Sequence, residues 1–171
     1  MKKKHIILGC ILAVFICMLS SLLFLLKQKH DFRKTIANIP EFCLPQSNDS
    51  LLFCNTQIVK RNPMVLMYLH PECDICQIEA QQMQQRLDHT GKIQWILVSY
   101  AERDSLNKFT TTYRLNEIPD LNILMDSNFE LYNRLQVKGI PSCYIYNRQH
   151  KLVKVLKGIE KLETIIKLAN R

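Results

Sequence analysis

Residues 64–79 read MVLMYLHPECDICQIE, and the change of pattern inside this stretch governs the reading of everything around it. Val65, Leu66, Met67, Tyr68 and Leu69 form an unbroken apolar run, the pattern of a short strand buried on both faces. Pro71 opposes any helix running in from before it. Beyond Cys73 the apolar residues Ile75, Ile78, Met83 and Leu87 recur at helical spacing, with Gln77, Gln81, Gln84 and Gln85 mostly between them. The stretch therefore reads as strand, turn and helix, with Cys73 and Cys76 on the first helical turn.

That placement carries chemistry. A thiolate, not a thiol, is the nucleophile, and the unpaired amides and dipole at a helix N-terminus favour negative sulfur. Cys73 is the candidate nucleophile. Side chains three apart on one turn lie roughly 5–6 Å apart at Cβ, close enough for a small adjustment to join them, so Cys76 can resolve a mixed disulfide. The C-x-x-C spacing by itself also fits half a zinc site or two core cysteines; the strand-turn-helix context favours redox chemistry.

Outward to the N-terminus, the basic MKKKH precedes Ile6 to Leu26, a stretch without a charge. At about 1.5 Å per residue it is long enough to cross a hydrocarbon core of about 30 Å. Leu22 to Leu26 run directly into Lys27 with no small-residue cleavage pattern, which favours an uncleaved signal-anchor over a removable signal peptide. Cys10 is a poor lipidation site, since the hydrophobic stretch follows it instead of preceding it. Lys2, Lys3 and Lys4 on one side face Lys27, Lys29, Arg33 and Lys34 on the other, so charge alone does not orient the span. A basic cluster leading straight into a hydrophobic run looks like an export signal. It predicts a single-pass protein of the inner (cytoplasmic) membrane with its C-terminal domain in the periplasm or its equivalent.

The formal charge of +8 does not point to nucleic acid. Seven Lys or Arg and one Asp put +6 into residues 1–34, leaving +2 for residues 35–171. The excess flanks the membrane span, where anionic headgroups account for it, and no basic-aromatic pattern follows downstream. The expected organisation is a basic tail and signal-anchor over 1–26, a polar linker over 27–38, and one domain over 39–171. Of the seven cysteines, Cys10 and Cys17 fall in the span and Cys43, Cys54, Cys73, Cys76 and Cys143 in the soluble part.

Within that domain, Phe42-Cys43-Leu44 and Leu51-Leu52-Phe53-Cys54 read as short strands joined by Pro45, Ser47, Asn48, Asp49 and Ser50. A turn at Asn48-Asp49 sets Cys43 opposite Cys54 and Pro45 opposite Leu52, which fits either a cross-strand disulfide or two buried free thiols. Ile93 to Val98 reads as a buried strand, with a helix from about Glu102 to Arg114 after it. Leu121 to Met125 is a further strand, and Ser127 is placed to cap a helix running through Leu135. Ser142 to Tyr146 and Lys151 to Leu156 read as two more strands, the second an edge, before a helix from about Glu160. Alternating strands and helices imply an α/β fold with some parallel pairing.

Taken together, the chain resembles the thioredoxin fold. More narrowly, residues 39–171 are similar to the TlpA/ResA-type membrane-anchored thiol-disulfide oxidoreductases. Cys73-Asp74-Ile75-Cys76, Glu79 three residues after the second cysteine, and Gly139-Ile140-Pro141 carry the resemblance. It implies a mixed central sheet flanked by helices, with an N-terminal hairpin. It also implies a cis Pro141 packed beside the cysteines, with Ile140 free to pair its backbone with an extended substrate segment, alongside Pro71 and Glu72 on the substrate side. Without the resemblance, Pro141 is an ordinary loop proline before a strand.

Glu79 is either a solvated helix residue or, as the resemblance implies, a partly buried carboxyl that moves protons for the cysteines. His70 is a structural residue at a strand end or a proton donor to the thiolate. Two departures from the family bear on chemistry. Glu72 stands where Trp is common, and Ile75 replaces a familiar proline. Glu72 and Asp74 put negative charge beside Cys73, disfavouring its thiolate, and a less acidic thiol is a poorer leaving group. The expected poise is reducing.

The resulting expectation is a monomeric, membrane-anchored reductant of extracytoplasmic protein disulfides, using Cys73, Cys76, Glu79 and Pro141. It takes electrons from a membrane or soluble thiol donor, and cytochrome c maturation is one setting the family suggests. No organic cofactor, metal or nucleic acid is called for. Two alternatives stand beside it. One is a soft-metal or iron-sulfur site formed by Cys73, Cys76, Cys143 and His70. The other is a hydroperoxide peroxidase, whose P-x-x-x-T-x-x-C pattern requires Pro and Thr where this chain has Leu66 and His70.

Overall fold

The computed structural model describes residues 2–49, 51–85, 92–118 and 121–171, with side chains in the first helix at 5 and from 11 onward. Leu87 and Ser50 of the sequence reading lie outside the described residues. Two compact units are present, Met1–Thr35 and Ile36–Arg171. The first is a single helix, α1 (Lys2–Thr35). Its segment Ile11–Thr35 is long and apolar enough to cross a membrane. The stretch 27–35, expected as a polar tether, continues this helix, because Lys, Gln and Arg are good helix formers and nothing there breaks the run.

The second unit begins earlier than position 39. Ile36 is only 2 % exposed, Ala37 accepts the Leu152 amide at 2.9 Å, and Asn38 bridges to Lys151. The hairpin of β1 (Cys43–Pro45) and β2 (Leu52–Cys54) comes next. Its register pairs Cys43 with Cys54 and Pro45 with Leu52, and the two cysteines form a disulfide. The Asp49 carboxylate accepts the Leu51 amide across the turn at 3.0 Å.

The main sheet runs β5-β4-β3-β6-β7. The central strand β3 (Met64–Tyr68) pairs parallel with β4 (Gln94–Ser99), which pairs parallel with β5 (Leu121–Met125). On its other side β3 pairs antiparallel with β6 (Ser142–Tyr146), which is followed by the antiparallel edge strand β7 (Leu152–Lys157). Every residue of β3, β4 and β6 is buried, the reason their sequences are apolar without alternation. The hairpin docks at the β5 edge, where the Ser47 amide donates to the Ile123 carbonyl at 2.9 Å. Arg103 clamps the turn through the carbonyls of Gln46 and Ser47, at 3.2 and 2.5 Å.

Helices α2 (Asp74–Gln85), α3 (Arg103–Thr112), α4 (Glu130–Leu135) and α5 (Leu162–Ala169) complete the unit. One continuous core joins Val65, Met67 and Leu69 of the strand and its end to Cys76, Ala80 and Met83 of α2 and to Leu162 and Ile165 of α5. Each of the Val, Leu, Ile and Met side chains among them contributes roughly 1.5–3 kcal/mol by burial.

Three helix boundaries differ from the sequence reading. Helix α3 stops at Thr112, because Arg114 turns left-handed at φ 50° and drops Leu115, fully buried, into the core. Helix α5 starts at Leu162, two residues after the expected Glu160. Ser127 does not cap α4. Phe129 is left-handed at φ 57°, which delays the helix to Glu130 and puts Ser127 too far back. Asp126 takes the role instead, accepting from the amides of Tyr132 at 2.8 Å and Leu131 at 3.3 Å.

Candidate active site

Strand β3 ends at Tyr68, and the turn that follows delivers Cys73 to the tip of α2. The Cys73 amide donates to the His70 carbonyl at 3.1 Å, and the Cys73 carbonyl accepts the Gln77 amide at 3.0 Å, so this residue is the hinge between turn and helix. Pro71 is buried, and its carbonyl accepts from the Gln77 side chain at 2.9 Å. It shapes the turn, whereas Glu72 lies exposed at the rim.

The half-exposed Cys73 Sγ accepts the Cys76 amide at 3.3 Å. This is one of the N-terminal amides that have no partner inside the helix, and it is directed at the sulfur. The same sulfur lies 3.9 Å from the Ile140 carbonyl oxygen. The Ile140–Pro141 bond is cis, and the Pro141 carbonyl accepts the Gly158 amide at 2.9 Å.

Cys76 is fully buried. Burial pushes its thiol well above the ordinary range, and the hydrogen bond with Cys73 adds to this. The two cysteines thus differ in the way an attacking and a resolving thiol should: one reaches solvent, the other is held protonated behind it.

Glu79 lies one turn further along α2 and is only 2 % exposed. Burial pushes its carboxyl up to about 7, against the opposing pull of the Glu160 amide. That amide donates to Glu79 Oε1 at 2.7 Å, while Oε2 has no hydrogen-bond partner among the described residues. The carboxylate's charge in turn raises both Cys76 and Cys143. Cys143, opposite Met67 in the sheet register, is raised chiefly by its own burial. Glu79 is thus a buried carboxyl in electrostatic contact with two buried thiols.

The His70 ring accepts the Glu72 amide at Nδ1, at 3.3 Å, which leaves a ring proton for Nε2. The ring packs on Tyr100 with centroids 4.7 Å apart, and Tyr100 stacks on Phe129 at 5.0 Å. Neither Tyr100 nor Phe129 is marked by a local pattern in the sequence. They come together because β4 and β5 end beside the turn after β3.

The structure therefore brings Cys73, Cys76, Glu79, Ile140 and Pro141 together, while Cys43 and Cys54 are bonded to each other on the hairpin. Among the described residues no group of three or more His, Cys, Asp and Glu side chains is arranged to hold a metal ion. Leu66, where a peroxidase would need proline, lies fully buried in the middle of β3.

This sheet order, with an accessible cysteine at the tip of the helix after the central strand, defines a thioredoxin-like protein. The chain belongs to the AhpC/TSA family, whose sequence model matches residues 37–155. Solved structures agree in fold. A secreted disulfide oxidoreductase of Mycobacterium tuberculosis homologous to E. coli DsbE superimposes with a TM-score of 0.64 at 17 % identity, covering 80 % of this chain and 97 % of its own. A thiol:disulfide interchange protein of the thioredoxin family from Chlorobium tepidum gives 0.65 at 16 % identity, covering 78 % and 95 %. StoA from Bacillus subtilis gives 0.60 at 18 %, covering 78 % and 99 %. No curated protein matches the sequence.

Proposed function

We propose that this protein is a membrane-anchored thiol-disulfide oxidoreductase that reduces disulfides of proteins outside the cytoplasm. The observation that carries the reading is the pairing of Cys73 and Cys76, with the Cys76 amide 3.3 Å from Cys73 Sγ at an accessible helix tip. The Cys73 thiolate attacks one sulfur of a substrate disulfide, forming a mixed disulfide and releasing the other sulfur as a thiolate. Cys76 then gives its proton to Glu79 and attacks Cys73 Sγ. A Cys73–Cys76 disulfide forms and the second substrate sulfur leaves as a thiolate, so two electrons pass to the substrate. Another thiol protein reduces the pair again.

A carboxyl poised near 7 suits this proton transfer, since it is basic enough to accept a proton and acidic enough to give it up at neutral pH. The cis Pro141 and the Ile140 backbone offer an edge for an extended substrate segment, as the family resemblance implies. Similar structures include a disulfide oxidoreductase and a thiol:disulfide interchange protein, which supports the same chemistry here.

The test is to trap the intermediate. In cells carrying the full chain with Cys76→Ala, substrates should accumulate as mixed disulfides on Cys73, and Cys73→Ala in the same background should remove them. Absence of any thiol-reversible adduct rejects the reading. The reducing poise is checked by the midpoint potential of the Cys73/Cys76 couple, expected near that of thioredoxin at about −270 mV; a value near DsbA, about −120 mV, rejects it.

A further inference from the structure

Glu72 and Asp74 adjoin the attacking cysteine on either side, and both are exposed. Among the described residues neither carboxylate forms an ion pair. Consecutive Cα atoms lie about 3.8 Å apart, which keeps both charges within roughly 10 Å of Cys73 Sγ. Lys138, exposed and two residues before Ile140 in the chain, is a single charge and offsets one of the two at most. On the same turn and the next, Ile75 and Ile78 are 42 % and 46 % exposed, an apolar strip beside an acidic rim.

We infer that Glu72 and Asp74 are specificity-determining residues that select substrate disulfides whose cysteines are flanked by Lys or Arg. The inference rests on the oxidoreductase reading and adds the class of substrate segment to it. The occupant is an extended, basic, cysteine-bearing segment of a partner protein, with an apolar side chain available to cover Ile75 and Ile78. Its cations meet the two carboxylates as its sulfur reaches Cys73. Any effect of the substitutions on Cys73 itself changes the rate with every substrate by the same factor, whereas docking changes the ratio of rates between substrates of opposite charge, so the two are separable.

The experiment uses the full chain in detergent, reduced, in single-turnover reactions with three disulfide peptides of identical ring. They carry Lys, Gln or Glu at the positions flanking the cysteines, and each rate is divided by that peptide's rate with a small neutral dithiol. At about 0.01 M salt, where screening reaches some 30 Å, the Lys peptide should react about tenfold faster than the Glu peptide. At about 1 M salt, where screening falls to some 3 Å, the ratio should approach one. E72Q/D74N should bring the low-salt ratio close to one, whatever it does to the Gln peptide. Equal normalised rates in the native protein, or a ratio untouched by the double substitution, overturn this inference alone. Failure to reduce any of the three peptides overturns the oxidoreductase reading and this inference with it.

Discussion

At the scale of single residues, Glu79 holds the most consequential position, and its burial sets its behaviour. In the unfolded chain its carboxyl ionises in the ordinary range; in the fold it does so only near pH 7. Between those values the folded state binds the proton more tightly. Stability contributed by this group is therefore full at about pH 4, falls as pH rises through the window, and is level above pH 7. The whole fall amounts to about 3 kcal/mol. Glu79→Gln keeps an oxygen for the Glu160 amide and cannot ionise. Its unfolding free energy relative to the native protein should therefore rise by about that amount between pH 4 and pH 8, measured by urea titration at each pH. The same substitution should slow resolution of the mixed disulfide about a hundredfold at neutral pH and remove the rate's dependence on pH near 7. Retention of that dependence would show that another group moves the proton. Glu79 was visible in the sequence as the third residue after Cys76. The residues alone left it either solvated or partly buried, the latter on the resemblance, and what shields it, the Glu160 segment arriving from the far end of the chain, was not legible.

At the scale of elements, α4 shows how a long-range contact overrides a local signal. Ser127 precedes the helix at a spacing that suits a cap, yet Asp126 does the capping. It is fully buried and also accepts the Tyr68 hydroxyl at 2.7 Å, tying the end of β3 to the start of α4. Asp126→Ala strips the cap and leaves a buried hydroxyl unpaired, so it should cost about 3 kcal/mol in urea unfolding, against well under 1 kcal/mol for the exposed Ser127→Ala. Equal costs would mean that the helix start is held by Ser127 after all. The strands β3, β4 and β6 were legible because burial on both faces demands continuous apolar sequence. The hairpin register was legible because Asn48-Asp49 counts the cysteines into opposition. The end of α3 was not legible: a left-handed Arg114 is chosen by the space available to Leu115.

At the scale of the whole molecule, an apolar helix precedes a compact thioredoxin-like unit. The anchoring reading predicts that the full chain stays with membranes through alkaline carbonate extraction and that a chain lacking residues 1–35 does not. Release of the full chain would reject the anchor. The sequence by itself determined the apolar N-terminal segment, the α/β alternation, the C-x-x-C turn and the strand pairing at Cys43 and Cys54. Each of these is written in neighbouring residues as a run, a period or a spacing. Only the tertiary structure decided how completely Cys76 is shut away, how far Glu79 is shielded from water, and that Tyr100 packs on His70 with Phe129 stacked on Tyr100. Those properties belong to atoms that are distant in the chain and adjacent in space, and solvation, charge and contact act through space.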